Sequence, residues 1–231
     1  MSETAVVIFD MYNTLVENEP HQWDVTFGEI IQTQGLDVTL EVFRDQWRVD
    51  EKQFQIRRIV PGAAFESYYE GWCESYVRTF AALTLVGDAA AASRRTIHDL
   101  GTRMPYEDTV AGLKNIKEQW RIALLSNADD DYLNPALVQL GVKFEDVLSS
   151  EMAQCYKPDA GLFHEMLRRL DVIPAQAVYV GDRQFEDVKG AKEVGMRTVW
   201  INRFGNVLDP ELPAPDIVVA SLLEIPALLS Q

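Results

Sequence analysis

Residues 5–15 read AVVIFDMYNTL and join a short apolar run to an abrupt polar end. A β-branched, apolar run of this length predicts a strand that is buried on both faces of a sheet. Asp10 then lies where the strand meets a loop, which is the edge at which open α/β sheets bind ligands. Asn13 tolerates unusual backbone angles, and the Thr14 hydroxyl can hydrogen-bond the carboxylate. The pattern indicates a binding or catalytic role for Asp10, with a helix cap or a turn as the alternative.

Polar residues accompany later strand-like runs in the same way. Three such sites follow Asp10 along the chain: Ser126-Asn127 after residues 121–125, Lys157 in the segment YKPD (156–159), and Asp182 with Asp187 after residues 177–180. This order of carboxylate, hydroxyl, lysine and acidic pair resembles the four motifs of the haloacid dehalogenase-like (HAD) hydrolase superfamily. The resemblance covers nearly the whole chain. Each motif alone is common, but the set of four in this order is specific.

The remaining sequence predicts the architecture around these motifs. From residue 105 onward strands alternate with helices, which predicts a doubly wound, mostly parallel α/β sheet with right-handed crossovers. Between residues 16 and 104 the apolar periodicity is helical, and the resemblance implies that this insertion is a cap over the site. We therefore expect a core domain of residues 1–15 and 105–231 and a helical cap domain of residues 16–104.

Three helices are predicted within the insertion. Trp47 and Phe54 lie on the first of them. An aromatic stripe with a spacing of four residues marks one face of the second. Its members are Tyr68, Trp72, Tyr76 and Phe80. An Ala-rich third helix covers residues 89–100, and Gly101 is predicted to cap its C-terminus. The stripe is interpreted as helix packing.

Basic residues concentrate between positions 44 and 58 of this acidic chain. A guanidinium binds carboxylate or phosphate through two N–H groups. We single out Arg48 as the residue that would hold the anionic group of a substrate when the cap closes. A solvated helix face is the alternative for the whole basic group.

Converging strand ends would bring Asp10, Asp182 and Asp187 into one crevice, where their charges repel. Lys157 and one Mg²⁺ would balance these three negative charges, and Mg²⁺ prefers oxygen ligands of this kind. The resemblance implies that the ion is bound by Asp10, by the backbone carbonyl of Tyr12 and by Asp182. It also implies that Asp187 reaches the ion through water or orients Lys157.

The resemblance implies covalent catalysis, in which Asp10 attacks phosphorus or carbon and water hydrolyses the aspartyl intermediate. Ser126 and Asn127, with nearby backbone amides, would hold the anionic oxygens of a small-molecule substrate. Thr14 would belong to the catalytic set, and Lys157 would neutralise charge on the transferred group. The plainer alternatives are a helix cap for Ser126 and a surface position for Lys157.

Tyr12 departs from the phosphatase pattern. Phosphatases of the superfamily usually carry a second Asp there as general acid and base, a role that contributes about 10² to 10⁴ in rate. A Tyr at this position resembles the pattern of the 2-haloacid dehalogenases, whose halide leaves without a proton. In such an enzyme Tyr12 would contact the substrate. Those enzymes work without metal, and their fourth motif resembles Ser-Ser-Asn. This chain has Gly181-Asp182-Arg183 at that place.

We therefore expect a hydrolase that cleaves a small phosphate monoester with Mg²⁺. The alternatives are metal-independent 2-haloacid dehalogenation and a catalytically silent HAD-fold scaffold. A phosphoacceptor receiver domain groups similar residues, but such domains are about half this length and lack a helical insertion.

The overall composition limits the partners. The chain of 231 residues has a formal net charge of −15, which argues against nucleic acid or an anionic membrane as a partner. No apolar run approaches the roughly 20 residues of a membrane helix, and no basic secretion signal is evident. Cys73 and Cys155 form no metal-binding motif. We expect a cytoplasmic protein, monomeric or homodimeric, that attracts a small anionic substrate locally.

Overall fold

The computed structural model describes residues 4–230, and its sheet consists of six parallel strands in the order β3-β2-β1-β4-β5-β6. The strands are β1 Val6–Phe9, β2 Arg121–Ser126, β3 Val147–Ser149, β4 Ala177–Gly181, β5 Arg197–Ile201 and β6 Ile217–Val219. The chain extends the sheet from β1 first to one side and then to the other. This reversal places the carboxyl end of β1 at the topological switch point, where such sheets bind ligands.

The α-helices are numbered in chain order. They are α1 Pro20–Gln34, α2 Leu40–Arg57, α3 Tyr68–Ala82, α4 Ala89–Gly101, α5 Thr109–Lys117, α6 Asp130–Leu140, α7 Ser150–Ala153, α8 Ala160–Leu170, α9 Gly190–Glu193 and α10 Ile225–Leu229. A π-helical turn, Gln184–Lys189, leads directly into α9. Short 3₁₀ turns lie at Pro174–Gln176 and Leu222–Glu224.

The four side chains of β1 are buried and alternate between two apolar cores. Val7 and Phe9 belong to one core, and Val6 and Ile8 belong to the other, which lies beneath α8. A strand covered on both faces has no polar side, which explains its continuous apolar sequence. The predicted doubly wound α/β fold is confirmed, and the sheet is parallel throughout.

Helices α1 to α4 occupy the chain between β1 and α5. The sequence analysis missed α1, although its signals were present. Pro20 stands at the first helical position, Gln22 forms a capping box with Glu19, and Gly35 ends the helix at φ 61°. The apolar face of α1 is short, with Phe27 and Ile30 as buried members, so its periodicity was weak.

The aromatic stripe of α3 is buried, as predicted, and packs against rings of α2. Tyr76 stacks on Phe43 with ring centroids 6.3 Å apart. The predicted C-cap at Gly101 is wrong, since Gly101 is the last residue of α4 and Thr102 follows as the cap. A Cβ at Gly101 would lie 3.2 Å from the Pro135 side chain, so this glycine permits close packing of α4 on α6.

Within residues 4–230, no helix combines the length and the apolar composition that a membrane crossing requires.

Candidate active site

Polar residues at the ends of neighbouring strands converge on Asp10. Asp10 directly follows β1, and its backbone N–H donates to Val180 of β4. The Ser126 hydroxyl, at the end of β2, donates to Asp10 Oδ1 over 2.8 Å. Lys157 Nζ donates to the same oxygen over 2.7 Å. The first three sequence motifs therefore meet at one carboxylate, whose second oxygen accepts no hydrogen bond from any described residue.

Lys157 is fully buried and makes three hydrogen bonds through its ammonium group. Besides Asp10 it contacts Asp187 Oδ1 at 2.6 Å and the Tyr179 hydroxyl at 2.9 Å. Burial by itself lowers the pKa of Lys157, but the charges of Asp10 and Asp187 outweigh it and raise the pKa well above its ordinary value. Lys157 is therefore a permanent cation at the base of the site.

Tyr179 is a site residue that sequence reasoning missed. Its hydroxyl accepts from Lys157 and donates to the Leu125 carbonyl over 2.7 Å. A hydroxyl at the centre of the otherwise apolar strand β4 was the available signal. Because buried polar groups need partners, such a hydroxyl indicates a polar neighbour across the sheet.

Three carboxylates form an acidic cluster beside Lys157. Oxygens of Asp10, Asp182 and Asp187 lie within 4.8 Å of one another. Burial is the largest cause of the raised pKa values of two of them. The pKa of Asp187 is raised to about 6, and that of Asp182 is raised well above its ordinary value. With one lysine opposite three carboxylates, the fully ionised cluster keeps two negative charges in a buried place.

The donor set fits a magnesium ion. Mg²⁺ takes oxygen ligands and uses one or two protein carboxylates with water. The Tyr12 carbonyl, the third predicted ligand, accepts no hydrogen bond from any residue between 4 and 230. A divalent cation would cancel the two uncompensated charges of the acidic cluster.

The loop after β4 holds Asp187 against the sheet. The Arg183 N–H donates to Asp187 Oδ2 over 2.9 Å, and the π-helical turn carries the carboxylate back toward β4. A Cβ at Gly181 would clash with the Asp187 carboxyl carbon. Glycine is therefore required at this position for the acidic cluster to close.

Asn127 and Thr14 differ from their predicted contacts. The Asn127 side chain bonds the Lys157 backbone twice, accepting from its N–H at 2.8 Å and donating to its carbonyl at 3.2 Å. Asn127 thus positions the segment that carries Lys157. The predicted hydrogen bond from Thr14 to Asp10 is wrong, because the buried Thr14 hydroxyl has no partner among the described residues, and Ser126 makes that bond instead.

The Tyr12 hydroxyl lies against backbone carbonyls of residues that line the cavity. The oxygen lies 3.4 Å from the carbonyls of both Leu100 and Tyr132, which are acceptors. Burial raises the pKa of Tyr12 well above its ordinary value, and the charge of Asp10 raises it further. Tyr12 therefore forms part of the wall and does not replace the second Asp of the phosphatases.

A cavity of about 110 Å³ lies between Asp10 and the helical insertion. The sheet side contributes the polar residues described above. The insertion contributes both aromatic rings and polar side chains. The insertion residues on its wall are Asn18, Trp23, Glu51, Gln55, Arg58, Tyr68, Trp72 and Leu100. The cavity is far smaller than the roughly 300 Å³ or more of drug-sized sites, so it suits a compact ligand.

A family model described as haloacid dehalogenase-like hydrolase matches residues 4–195. The chain belongs to this hydrolase family. The family explains why a carboxylate, a hydroxyl, a lysine and an acidic pair from four separate segments share one crevice.

Two chemistries occur among the relatives of this HAD-like hydrolase. Haloacetate dehalogenase H-2 of Moraxella sp. (strain B) is 25% identical over 95% of both chains. N-acylneuraminate-9-phosphatase of Rattus norvegicus is 32% identical over 53% of this chain and 51% of its own. A solved HAD-hydrolase structure, YfnB of Bacillus subtilis bound to magnesium, matches all of both chains with a TM-score of 0.83 and 16% identity. The last likeness concerns the fold, so the substrate class must be argued from the site.

The arginine that faces the cavity of this HAD-like hydrolase is Arg58. The predicted Arg48 lies in an adjoining cavity, with a side chain 54% exposed and Asp45 at 3.9 Å. Arg58 is buried, donates to Glu186 over 2.7 Å, and stacks 4.7 Å from the centre of the Tyr156 ring. Both residues belong to the insertion, but only Arg58, which follows α2 as its C-cap, lines the cavity together with Asp10.

Asp129 attaches the insertion to the sheet. It follows the Ser126-Asn127 motif, and its two carboxylate oxygens accept the backbone N–H groups of Tyr68 and Tyr69 at 2.9 and 2.8 Å. These are free N–H groups of the first turn of α3. Burial is the main cause that raises the pKa of Asp129, to about 6. Sequence reasoning missed this contact because Asp129 lies 61 residues from Tyr68.

Proposed function

We propose that this HAD-like hydrolase is a Mg²⁺-dependent phosphatase for a small phosphate monoester. The acidic cluster of Asp10, Asp182 and Asp187 supports this proposal most strongly. Attack on the carbon of a 2-haloacid needs a single nucleophilic carboxylate, whereas three clustered carboxylates with one lysine either take up protons or bind a further cation. A retained divalent-ion site is expected of phosphoryl transfer, where a metal neutralises phosphate oxygens.

The ion would be held by Asp10, Asp182 and the Tyr12 carbonyl, with Asp187 supporting the site through Lys157. When bound, it would supply Lewis-acid stabilisation of the phosphoryl oxygens. Lys157 donates to Asp10 over 2.7 Å, and its ammonium lies close enough to share the negative charge of the phosphoryl group. Ser126 fixes the rotamer of Asp10 through its hydrogen bond. We also propose residues 16–104 as the cap of this enzyme and residues 1–15 and 105–231 as its core.

The reaction has two displacement steps. An Asp10 oxygen bonds to phosphorus while the ester P–O bond breaks, and the alcohol leaves with a proton. Water then attacks the aspartyl phosphate, which releases inorganic phosphate and restores the Asp10 carboxylate. The cavity of about 110 Å³ favours a substrate whose organic part is compact.

A panel of phosphate esters and 2-haloacids, assayed with Mg²⁺ and with chelator, tests the proposal. We expect phosphate release that requires Mg²⁺ and is lost in Asp10→Asn, with the Asp10 side chain labelled in a single turnover. A protein that folds, binds Mg²⁺ and never labels Asp10 would instead be a silent scaffold.

Dehalogenation is the second candidate, and Tyr12 is the observation that favours it. A halide leaves without a proton, so a wall residue suffices where phosphatases carry a general acid. Asp10 would then attack carbon as the carbon–halogen bond breaks, and water would release a hydroxy acid. Halide release that continues in chelator, without phosphate release from any ester, would establish this candidate and exclude the phosphatase.

A further inference from the structure

Replacement of the usual second Asp by Tyr12 leaves the proposed phosphatase without a proton donor beside Asp10. An alkyl leaving group departs as a strongly basic alkoxide, and general acid catalysis contributes about 10² to 10⁴ in rate. Tyr12 cannot supply this proton, because its hydroxyl faces two carbonyls. Any donor must come from another part of the cavity wall.

Two glutamates line the cavity apart from the acidic cluster. Glu186 is ion-paired with Arg58 at 2.7 Å. Burial raises the pKa of Glu186, but Arg58 and other cations outweigh burial and hold it below its ordinary value. Glu186 is therefore a carboxylate under all ordinary conditions. The phenol of Tyr68, with a pKa raised by burial to about 12, is a weak acid.

Glu51 differs from Glu186 in its partners. It lies in the middle of α2 and is only partly exposed. Its Oε1 accepts one hydrogen bond, from Gln55 Nε2 at 2.8 Å, and the carboxyl group forms no ion pair with any residue from 4 to 230. The Trp72 indole lies beside the carboxyl group and lowers its pKa slightly, and the carboxyl group lines the same cavity as Asp10.

The surroundings of Glu51 favour the protonated form. Burial is the main influence and raises the pKa of Glu51, while the Gln55 hydrogen bond and the charges of Arg58 and Arg183 lower it less. Trp72, Tyr68 and Tyr76 are the other titratable or polar neighbours. Arg48 lies beside Glu51 on the wall of the adjoining cavity.

We propose that Glu51 is the general acid of this enzyme, supplied by the insertion from the side of the cavity opposite the sheet. The inference rests on the proposed phosphatase function. As the ester P–O bond breaks, the Glu51 carboxyl gives its proton to the departing oxygen and becomes a carboxylate. In the second step that carboxylate takes a proton from the attacking water, so each turnover restores the acid.

The leaving group provides the test. In Glu51→Gln we expect kcat for an alkyl phosphate to fall about 10²-fold or more, because the alkoxide must leave unprotonated. With 4-nitrophenyl phosphate, whose leaving group needs no proton, we expect a change below about threefold. Glu41→Gln, at the exposed start of the same helix, is the matched control and should leave both rates unchanged.

Two measurements on the wild-type protein complete the test. The rate of alkyl phosphate hydrolysis should fall as pH rises through the raised pKa of Glu51. The rate of aryl phosphate hydrolysis should not show this decrease. In metal-free protein, ¹³C NMR should show one glutamate carboxyl titrating above the ordinary range, and Glu51→Gln should remove that signal.

The outcomes separate this inference from the proposed function. Equal loss of alkyl and aryl hydrolysis in Glu51→Gln, or no loss of either, overturns the role of Glu51 and leaves the phosphatase intact. If the wild-type enzyme hydrolyses aryl phosphates but no alkyl phosphate, the role of Glu51 is likewise overturned and the phosphatase function stands. Absence of Mg²⁺-dependent phosphate release from every ester overturns both.

Discussion

The two sides of the cavity are built differently. The sheet side, which we call the floor, consists of Asp10, Ser126, Lys157 and Asp187, linked by hydrogen bonds of 2.6 to 2.8 Å. The insertion side, which we call the roof, combines aromatic rings with polar side chains and keeps buried donors without partners. Trp72 Nε1 and Arg58 Nε are two of them.

Buried polar atoms normally have hydrogen-bond partners. The floor obeys this rule and is organised before any ligand arrives, as electrostatic catalysis requires. The roof departs from the rule at positions that face the cavity. The floor therefore holds the nucleophile and its charge partners in place, whereas the unpartnered donors of the roof are the groups available to contact a ligand.

The largest effect is expected from breaking the charge balance of the floor. Lys157→Met leaves Asp10 and Asp187 without their buried cation, which should cost about 3–5 kcal/mol of unfolding free energy at neutral pH. Urea unfolding measures this loss. Lys114→Met, at an exposed position, should change stability by less than about 0.5 kcal/mol. Equal small effects in both variants would show that the floor is not held by this charge.

The attachment of the roof should depend on pH. Asp129 has a pKa of about 6 in the fold, against about 3.9 in an unfolded chain. The native state therefore holds this proton more tightly, and the resulting stability, present below pH 4, is lost as pH rises through 6. Linkage gives a loss of about 3 kcal/mol.

Asp129→Asn removes this titration. The stability difference between the wild type and Asp129→Asn, measured by urea unfolding, should shift against the wild type by about 2 kcal/mol between pH 4 and pH 7. Other titrating groups cancel in this comparison. A difference that is the same at both pH values would contradict the raised pKa of Asp129.

The tight packing of β4 against Asp187 can be tested at Gly181. Gly181→Ala places a methyl group against the Asp187 carboxyl and should cost about 1–3 kcal/mol, as overpacking does. Gly28→Ala is the control, because a Cβ there meets nothing within 4 Å in the middle of α1. That substitution should stabilise the protein by up to about 1 kcal/mol. Loss of stability in both variants would contradict the claim that Gly181 is needed for close packing against Asp187.

The smallest effect is expected on the roof at Arg48. Its side chain is 54% exposed, so Arg48→Ala should change stability by less than about 0.5 kcal/mol. We also expect KM for the best substrate of the panel to stay within about twofold, since binding energy is lost only where contact is made. Steady-state kinetics measures this. A rise of about tenfold would return Arg48 to the role that the sequence predicted for it.

Local patterns were enough to predict most of the floor. Asp10 and Asp182 directly follow strands and Ser126 is the last residue of one, and parallel strands bring their carboxyl ends to one edge of the sheet. Lys157 follows no strand, and only its place in the family motifs marked it. Tyr179 escaped prediction because its partner is reached across the sheet, and sequence spacing does not encode that contact.

The roof was harder to predict because helix periodicity indicates which face is buried but not what covers it. The stripe from Tyr68 to Phe80 was assigned to packing, and the structure shows packing for the whole stripe and a cavity wall for two of its rings. Arg48 and Arg58 are equally basic in sequence. Their positions separate them, because Arg48 lies within α2 with its side chain 54% exposed, whereas Arg58 is the C-cap of α2 and its side chain is buried against the cavity.

The sequence by itself determined the parallel α/β sheet, the helical insertion, the family and the set of carboxylates, hydroxyl and lysine around Asp10. Those features depend on apolar periodicity and on strand ends, which are short-range properties of the chain. Only the tertiary structure decided that Arg58 and Glu51 line one cavity with Asp10, that Asp129 holds α3, and that the Tyr12 hydroxyl contacts two backbone carbonyls. These depend on how two packed bodies meet, and that geometry arises from contacts between residues far apart in sequence.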